Sequence, residues 1–263
     1  MGRRNEITRW RRKLAVRLTQ FVIVAVLLLA WEFSPAWLLD DFLWSRPSAI
    51  YSQTLAWLAR GILVGNAAIT LECVLQGLLF GGLAGILLGL FAGLRPAAAE
   101  LINRPIEALF AVPKIALIPL FILWFGIGVY QHVIFTSVVV FFFFFFSVYN
   151  GVRSVPVALR NALSMTGASS AQAVHILYLP ASLGWMIIAL RLAMPYAFVA
   201  AVSTEVIAST SGLGNLVKNS ASMMNSAGMF SAMFTLLFVS MISSGLVNVL
   251  ARKNRWNLEQ LEE

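Results

Sequence analysis

The segment SMTGASSAQAVHILYLP, residues 164–180, is polar, rich in small residues and closed by a proline. It lies between two of the most apolar stretches of the chain, one ending in the six phenylalanines of residues 141–146 and the other beginning near Leu183. Glycine and hydroxyl side chains in such a segment are typical of helix ends and tight turns. The contrast indicates a chain that alternates between apolar stretches suited to lipid and a polar segment that is not.

The composition indicates that most of the chain lies in a membrane. Apolar residues make up 60% of the 263 residues and charged residues 11%, against roughly 45–50% and about 25% in an ordinary soluble domain. A soluble core of this length could not bury so much apolar surface. The single cysteine, Cys73, excludes an internal disulfide and a cysteine-based metal cluster.

Six stretches are apolar and long enough to cross the roughly 30 Å hydrocarbon core of a membrane as helices. They are residues 18–33, 70–94, 106–125, 133–150, 182–207 and, within 219–251, a stretch beginning near Met229. The predicted fold class is therefore an all-α integral membrane protein with six transmembrane helices. The first stretch ends in Trp31, Glu32 and Phe33, unlike the small residues of a signal-peptide cleavage site, so it is predicted to be retained.

The basic residues predict the orientation of these helices. The net charge of +8 comes from residues at the ends of apolar stretches, which indicates membrane topology rather than nucleic-acid binding. One side of the membrane would carry fourteen of them: Arg3, Arg4, Arg9, Arg11, Arg12, Lys13, Arg17, Arg95, Arg104, Arg153, Arg160, Arg252, Lys253 and Arg255. The other side would carry Arg46, Arg60 and Lys218. Because Lys and Arg are enriched on the cytoplasmic side, both termini are predicted to be cytoplasmic.

This arrangement divides the chain into five parts. They are a cytoplasmic basic N-terminus at 1–17, a first transmembrane helix at 18–33, an outer connection at 34–69, a five-helix core at 70–251 and a cytoplasmic C-terminus at 252–263. The outer connection contains an apolar piece, IYSQTLAWLARGILV at 50–64, that could form a helix in the plane of the membrane interface. The core contains a cytoplasmic loop, 151–181, between its third and fourth helices.

Local signals predict two short helices in this loop. Ser154 and Pro156 suit the start of the first, VALRNALSMT at 157–166. Three apolar residues would share one face of it: Leu159, Ala162 and Leu163. These helices must bury their apolar faces against the chain's own spans, the lipid surface or a partner protein.

The second short helix is predicted to follow a glycine stop. Gly167 suits the end of the first helix. Ser169 or Ser170 can cap the second, AQAVHILYL at 171–179, and Pro180 is predicted to end it.

The spacing of this loop resembles a motif of the permeases of bacterial ABC importers. Their cytoplasmic motif reads Glu-Ala-Ala, three residues, Gly, nine residues and Ile-x-Leu-Pro. This chain has Asn161-Ala162-Leu163, three residues, Gly167, nine residues and Leu177-Tyr178-Leu179-Pro180. Further stretches resemble the nitrate, sulfonate, taurine and bicarbonate importers: PKIALIPLFILWFGIG at 113–128, YNGVRSV at 149–155, TGASSAQ at 166–172, LRLAMPYAFVAAVSTEVIAST at 190–210 and SGLGNLV at 211–217. The resemblance covers nearly the whole chain beyond about residue 45.

The resemblance implies a permease subunit in the bacterial inner membrane that translocates a small solute, in particular an anion such as a sulfonate, taurine, nitrate or bicarbonate. The outer connection would then be periplasmic. The chain would be no enzyme and would hold no cofactor, because ATP is bound and hydrolysed by a separate cytoplasmic subunit. The sequence has no Gly-x-x-x-x-Gly-Lys-Ser/Thr phosphate loop. The other implied partners are a periplasmic solute-binding protein, membrane lipid and a second permease copy in a homodimer.

In that family the cytoplasmic loop inserts into a groove of the ATPase and couples its closure to the membrane helices. The resemblance assigns this contact to Asn161, Ala162, Gly167, Ala168, Ser169, Leu179 and Pro180. Asn161 stands where the family has Glu, so an acidic contact is lost or replaced by a neutral hydrogen bond.

Ionisable residues within membrane spans cost about 2.5–3.5 kcal/mol each and are candidates for function. Lys114 either extends to the headgroups or lines the pathway. Arg191 and Glu205 are about 21 Å apart on a straight helix, too far to pair, so each needs another partner or a water-filled cavity.

Glu205 stands where the resembling family keeps an acid, shortly before an outer loop. We expect it to shape an outer gate together with Ser211, Gly212 and Gly214. The alternative is a helix-end anchor followed by a plain turn.

His132 and His175 are predicted to lie at the surface or at an interface. No His, Cys, Asp or Glu cluster has metal-ligand spacing, so neither a metal site nor a catalytic residue is predicted. The main alternative function is a secondary transporter working without an ATPase, which often shows inverted repeats. A membrane-embedded enzyme would need paired acids, a Ser–His arrangement or a metal cluster. We find none of these patterns in the sequence.

Overall fold

The computed structural model describes residues 2–34 and 44–259 of the chain. The first residue, the part of the outer connection at 35–43 and the end of the C-terminus at 260–263 lie outside the described residues. The helices are α1 Gly2–Glu32, α2 Pro47–Ala59, α3 Ile62–Leu94, α4 Pro96–Ala111, α5 Ile118–Phe125, α6 Val129–Arg153, α7 Val157–Met165, α8 Ser170–Ala208, α9 Leu213–Ser222 and α10 Ser226–Glu259. These ranges contain no β-strand, and the predicted all-α fold is confirmed.

Within the described ranges, five helices are long and apolar enough to cross a membrane: α1, α3, α6, α8 and α10. The predicted third span, 106–125, is not one continuous helix, because α4 and α5 meet at a bend of 88°. Pro113 has no N–H to donate, and Val112 before it is extended at φ −66° and ψ 132°. The chain therefore leaves the α-helix at Ala111 and re-enters it through a 3₁₀ turn, Lys114–Leu117.

The centre of the bundle is the contact between α3 and α6. Five glycines recur at every fourth position of α3: Gly77, Gly81, Gly85, Gly89 and Gly93. A Cβ atom on any of them would come within 3.0 Å of α6, so the two backbones pack directly on each other. Gly77 faces Thr136 and Gly93 faces Val152, so the two helices run parallel.

This parallel packing shows that the bent pair α4–α5 crosses the bundle from one end to the other. The chain leaves α3 at one end and must return to the other end before α6 begins. Both helices of the pair pack along α6, first nearer its C-terminal end and then nearer its start. The ring of Phe110 lies 5.5 Å from that of Phe142, and the ring of Phe121 lies 5.3 Å from that of Phe135. The pair therefore makes one broken crossing, which agrees with six spans.

The second short helix of the loop does not end at Pro180, and that prediction was wrong. It continues into the next span as α8. The turn before the proline, Val174–Tyr178, is a π-helix in which the Leu179 N–H donates to the carbonyl of Val174. A wider turn relieves the clash between a proline ring and the preceding carbonyl groups, so the helix passes the proline.

The piece at 50–64 is also divided differently from the prediction. It ends α2, turns at Gly61 with φ +71°, and begins α3 at Ile62, eight residues before the predicted span. The Thr54 hydroxyl donates to Oγ of Ser231 at 2.9 Å, so α2 packs against α10.

Candidate functional site

Glu205 lies near the C-terminal end of α8 and is 1% exposed. Its Oε2 atom accepts hydrogen bonds from the Gly214 N–H at 2.8 Å and from the Thr70 hydroxyl at 3.0 Å. Glu205 therefore has partners other than Arg191, as their separation required. One partner comes from α3. The other comes from residues 209–214, the loop that follows α8 taken together with the first two residues of α9.

Three successive N–H groups of this loop are each held by a different side chain. The Gly212 N–H donates to Oδ1 of Asn66 at 2.8 Å, and the Leu213 N–H donates to Oγ1 of Thr70 at 2.9 Å. The third is the bond from Gly214 to Glu205. We call Asn66, Thr70, Glu205 and these three N–H groups the Glu205 network. It satisfies free N–H groups at the start of α9, where a carboxylate is favourable.

The loop fits closely around the carboxylate. A Cβ atom on Gly212, whose φ is +95°, would lie 2.6 Å from Oε1 of Glu205. A Cβ atom on Gly214 would lie 2.7 Å from Cβ of Glu205. Ser211 is held locally, because its N–H donates to Oγ of Ser209 at 3.1 Å and its carbonyl accepts from the same hydroxyl at 2.6 Å.

The structure thus brings together three of the four predicted gate residues, Glu205, Gly212 and Gly214, with Ser211 adjacent. Sequence reasoning missed Asn66 and Thr70. Their spacing of four residues places them on one side of a helix, ahead of residues 77–94, which carry no hydrogen-bonding side chain. Polar residues in this position were the available signal.

The two predicted pathway cations lie elsewhere. Lys114 sits at the break between α4 and α5, where its Nζ donates to the carbonyl of Phe110 at 2.7 Å. It also lies 4.3 Å and 4.8 Å from the ring centroids of Phe110 and Phe142. It therefore caps the broken end of α4. Arg191 is half-buried on α8, and its Nε atom has no hydrogen-bond partner among the described residues.

The loop segment, residues 157–181, has the predicted turn. Gly167 has φ +74° and its N–H donates to the carbonyl of Ser164 at 3.1 Å, which ends α7. Ser169 caps α8 with Gln172, because its Oγ accepts from the Gln172 N–H and its own N–H donates to Oε1 of Gln172. The predicted stop at Gly167 and cap at Ser169 are confirmed.

Ser154 does not cap α7. Its N–H donates to the carbonyl of Asn150 and its hydroxyl to that of Gly151, both at 2.8 Å, so it closes α6 instead. The residue before α7 is Pro156, which supplies no side-chain hydrogen bond.

No side chain of the loop segment is buried. Arg160 and Leu163 are half-buried and mark the side of α7 that faces the bundle. Asn161, Ala162 and Met165 lie on the opposite side, and Met165 is 89% exposed. Of the remaining candidates, Gly167, Ser169 and Pro180 are exposed, and Ala168 and Leu179 are half-buried. The face with the motif residues is thus open.

The two histidines differ. His175 is exposed, as predicted. His132 is 4% exposed, so the prediction of a surface or interface position was wrong for it. The reason is that α6 begins at Val129 and carries His132 into the bundle.

The sequence matches a family described as "Binding-protein-dependent transport system inner membrane component" over residues 85–256. Among similar proteins, "Taurine transport system permease protein TauC" of Escherichia coli is 30% identical over 154 residues, which are 59% of this chain and 56% of that protein. "Formylaminopyrimidine transport permease protein ThiX" of Halalkalibacterium halodurans is 25% identical over 225 residues, 86% of this chain and 90% of that protein. "Putative aliphatic sulfonates transport permease protein SsuC" of Bacillus subtilis is 26% identical over 193 residues, 73% of this chain and 70% of that protein.

Solved structures show the same fold. Inward-facing MetNI methionine ABC transporter matches with a TM-score of 0.59 at 20% identity, covering 76% of this chain and 97% of that chain. A bacterial ABC transporter involved in the import of the acidic polysaccharide alginate matches with a TM-score of 0.64 at 10% identity, covering 93% and 98%. None of these matches favours a secondary transporter. Because the family matches residues 85–256, the chain belongs to the inner-membrane components of binding-protein-dependent transport systems, and it is a permease subunit of an ABC importer.

Proposed function

We propose that two copies of this permease form a homodimer that imports a small anion, driven by ATP hydrolysis on a separate cytoplasmic subunit docked on the loop segment. A periplasmic solute-binding protein delivers the anion to the opposite side. The observation that carries this proposal is the continuity of α8. This helix begins at the cap of the exposed loop segment and ends beside the loop held by Glu205.

The continuous helix supports a direct mechanical link. Its 39 residues span about 58 Å if straight. A displacement of the loop segment by the ATPase would therefore reach the Glu205 network through one helix, in which the π turn at Val174–Tyr178 and Pro195 are the places where it can bend. Binding of ATP would shift the chain between arrangements that are open to one side or the other.

The orientation follows from charge. Both termini and the loop segment lie in the cytoplasm, on the side with fourteen of the basic residues, and the Glu205 network lies at the outer side. The parallel packing of α3 and α6 supports the odd number of crossings between them that this topology needs, because both helices must cross in the same direction.

The ATPase docks on the face of α7 that carries Asn161 and Ala162. This face is exposed and contains Met165, a side chain well suited to an adaptable apolar contact. Gly167 and Ala168 leave the neighbouring turn free of bulky side chains, so a partner backbone can approach closely.

The solute class is a small anion such as a sulfonate, taurine, nitrate or bicarbonate. The names of two similar proteins, for taurine and for aliphatic sulfonates, support it. A third name, for formylaminopyrimidine, points to a different solute. Arg191 supports the anion, because its half-buried guanidinium has an Nε atom without a partner in the described part of the chain.

The docking is tested by purifying tagged chain from its native host in mild detergent and identifying bound proteins by mass spectrometry. We expect an ATP-binding subunit to stay bound to the wild type and to be lost from Ala162→Arg. Ala221→Arg adds the same side chain at an exposed position of α9 and serves as the matched control that keeps the subunit. A chain that purifies alone and moves solute in vesicles without ATP would reject the proposal.

The solute is tested in vesicles with the reconstituted complex, by measuring ATP-driven uptake of labelled taurine against the unlabelled anions. We expect the anions to compete and Arg191→Gln to weaken uptake by about tenfold, the effect of losing one charged hydrogen bond. Competition by an uncharged pyrimidine alone would reject the anion.

A further inference from the structure

Two adjacent side chains at the start of α6 are buried without hydrogen-bond partners. Gln131 is 0% exposed and His132 is 4% exposed. Among the residues that the structure describes, neither the amide nitrogen and oxygen of Gln131 nor the two ring nitrogens of His132 has a partner. They are the only adjacent residues in that part of the chain with this property.

Packing alone does not require polar side chains at these positions. The neighbouring Val133 and Phe135 are buried and apolar, and the Thr136 hydroxyl lies 3.8 Å from Sγ of Cys73. A buried polar group without a partner loses its hydration and gains no hydrogen bond, whereas an apolar side chain of similar size avoids that loss. We call the arrangement in the structure, in which both side chains are shielded from water, the closed arrangement. It is less stable than it would be with leucine at either position.

The pair lies at the level of the Glu205 network. Thr136 and Cys73 are in contact across the parallel helices α6 and α3. His132 precedes Thr136 by about one helical turn and Thr70 precedes Cys73 by about one turn, so His132 and Thr70 lie at the same level. Residues 77–94 of α3 follow this level with no hydrogen-bonding side chain. The pair thus lies beside the end of the purely apolar part of α3.

The turn that leads into the pair is loosely packed. Gly126 and Gly128 have φ +75° and +154°, and a Cβ atom on either would meet nothing within 4 Å. Tyr130, which follows them, is 84% exposed. The start of α6 can therefore move without breaking a packed contact at this turn.

We propose that Gln131 and His132 are gating residues of the permease. Their unpartnered polar groups raise the free energy of the closed arrangement relative to one in which the start of α6 opens and water reaches both side chains. The pair thereby sets how often this end of the bundle opens. The inference rests on the proposed function only in treating that opening as a step of import.

The chain provides an internal reference for the test, because it has two histidines and His175 is exposed. Full-length chain in lipid nanodiscs is treated with diethylpyrocarbonate, and the modification rates of both imidazoles are measured by mass spectrometry. We expect His132 to react measurably, more slowly than His175. Gln131→Leu is expected to slow His132 by about tenfold, to leave His175 unchanged and to raise the midpoint of thermal unfolding by roughly 2–8 °C.

Thr136→Val is the matched control. Thr136 lies one turn further along α6, and its buried hydroxyl has a partner, Sγ of Cys73. It is expected to leave the rate at His132 unchanged. An unchanged rate at His132 in Gln131→Leu, or a lower unfolding midpoint, overturns the proposal. Neither readout needs solute or ATP. A complex that fails to import would therefore reject the proposed function and leave the result on the gating pair standing.

Discussion

The two ends of α8 are built in opposite ways. At its C-terminal end, the Glu205 network encloses a buried carboxylate, and three successive backbone N–H groups are held by side chains of the same chain. At its N-terminal end, the loop segment has no buried side chain and satisfies its turn with its own Gly167 stop and Ser169 cap. At the first end, all three N–H groups are held within one chain, and only Oε1 of Glu205 has no partner among the described residues. The second leaves an open face, which is where a partner can bind.

Two glycines, one at each end of α8, show the same difference between an enclosed and an open site. Gly212 and Gly167 both have positive φ, at +95° and +74°. A Cβ atom on Gly212 would run into the carboxylate of Glu205, whereas one on Gly167 would meet nothing within 4 Å. Both positions need the backbone freedom of glycine, but only Gly212 also needs the absence of a side chain.

The largest expected effect comes from this pair of glycines. We expect Gly212→Ala to lower the free energy of unfolding by roughly 3–5 kcal/mol, because it adds left-handed strain and displaces the carboxylate from its hydrogen bonds. Gly167→Ala should cost only the strain, about 1–2 kcal/mol. Thermal unfolding of the two purified variants measures the difference. Equal shifts would mean that the loop does not pack on Glu205 as described.

The next effect concerns the hydrogen bonds of the network. Thr70→Val keeps the shape of the side chain but removes a group bonded to both Glu205 and the Leu213 N–H, so we expect a loss of about 1.5–3 kcal/mol. Glu205→Gln should lose a similar amount and reduce uptake, since a neutral amide oxygen is a weaker acceptor than a carboxylate for the Gly214 N–H and the Thr70 hydroxyl.

The control for this prediction is Thr235→Val on α10, where the hydroxyl bonds only to the carbonyl of Ser231 one turn earlier. It should lower stability by less than about 0.5 kcal/mol. Unchanged uptake by Glu205→Gln would remove Glu205 from the gate and favour a plain helix-end anchor.

A smaller effect is expected at the open end. Ser169→Ala removes the capping box with Gln172 and should cost about 1 kcal/mol, confined to the start of α8. Hydrogen exchange of the amides of residues 170–173 would rise, while that of residues 204–208 would not. Faster exchange at both ends would show that the cap supports the whole helix rather than its first turn.

The smallest effect on stability is expected at Asn161. Asn161→Glu restores the acid of the resembling family at an exposed position, so the free energy of unfolding should change by less than about 0.5 kcal/mol. Retention of the ATP-binding subunit should increase, whereas Asn219→Glu, at an exposed position of α9, should leave it unchanged. Weaker retention in Asn161→Glu would mean that the neutral side chain is the one that fits the partner.

The sequence predicts what depends on local chemistry. The apolar spans follow from composition, and the stop at Gly167 and the cap at Ser169 follow from residues within a few positions of each other. The function is predicted by the resemblance of the loop motif and five further stretches taken together, and the family match confirms it. These features do not depend on distant parts of the chain.

What could not be predicted depends on tertiary contacts. Thr70 and Glu205 are 135 positions apart, and only the packed bundle brings them together. Pro180 reads as a helix end, but the π turn before it lets the helix continue. The sequence places His132 in an outer connection, because it does not show that α6 begins at Val129 and buries this side chain. The five-glycine spacing of α3 was present in the sequence, but the helix on which it packs was not evident.

In this topology the open end of α8 faces the cytoplasm and a partner, while the closed end lies outside. Two exposed methionines test it directly: Met165 in the loop segment and Met223 after α9, which is 79% exposed. Each is changed to Cys in a Cys73→Ala background, and cells are treated with a membrane-impermeant maleimide. We predict that Cys at 223 reacts in spheroplasts, and that Cys at 165 reacts only after permeabilisation and is protected by the ATP-binding subunit. Reaction of Cys at 165 from outside would show that the loop segment is not cytoplasmic, and no protection by the subunit would show that the partner does not bind there.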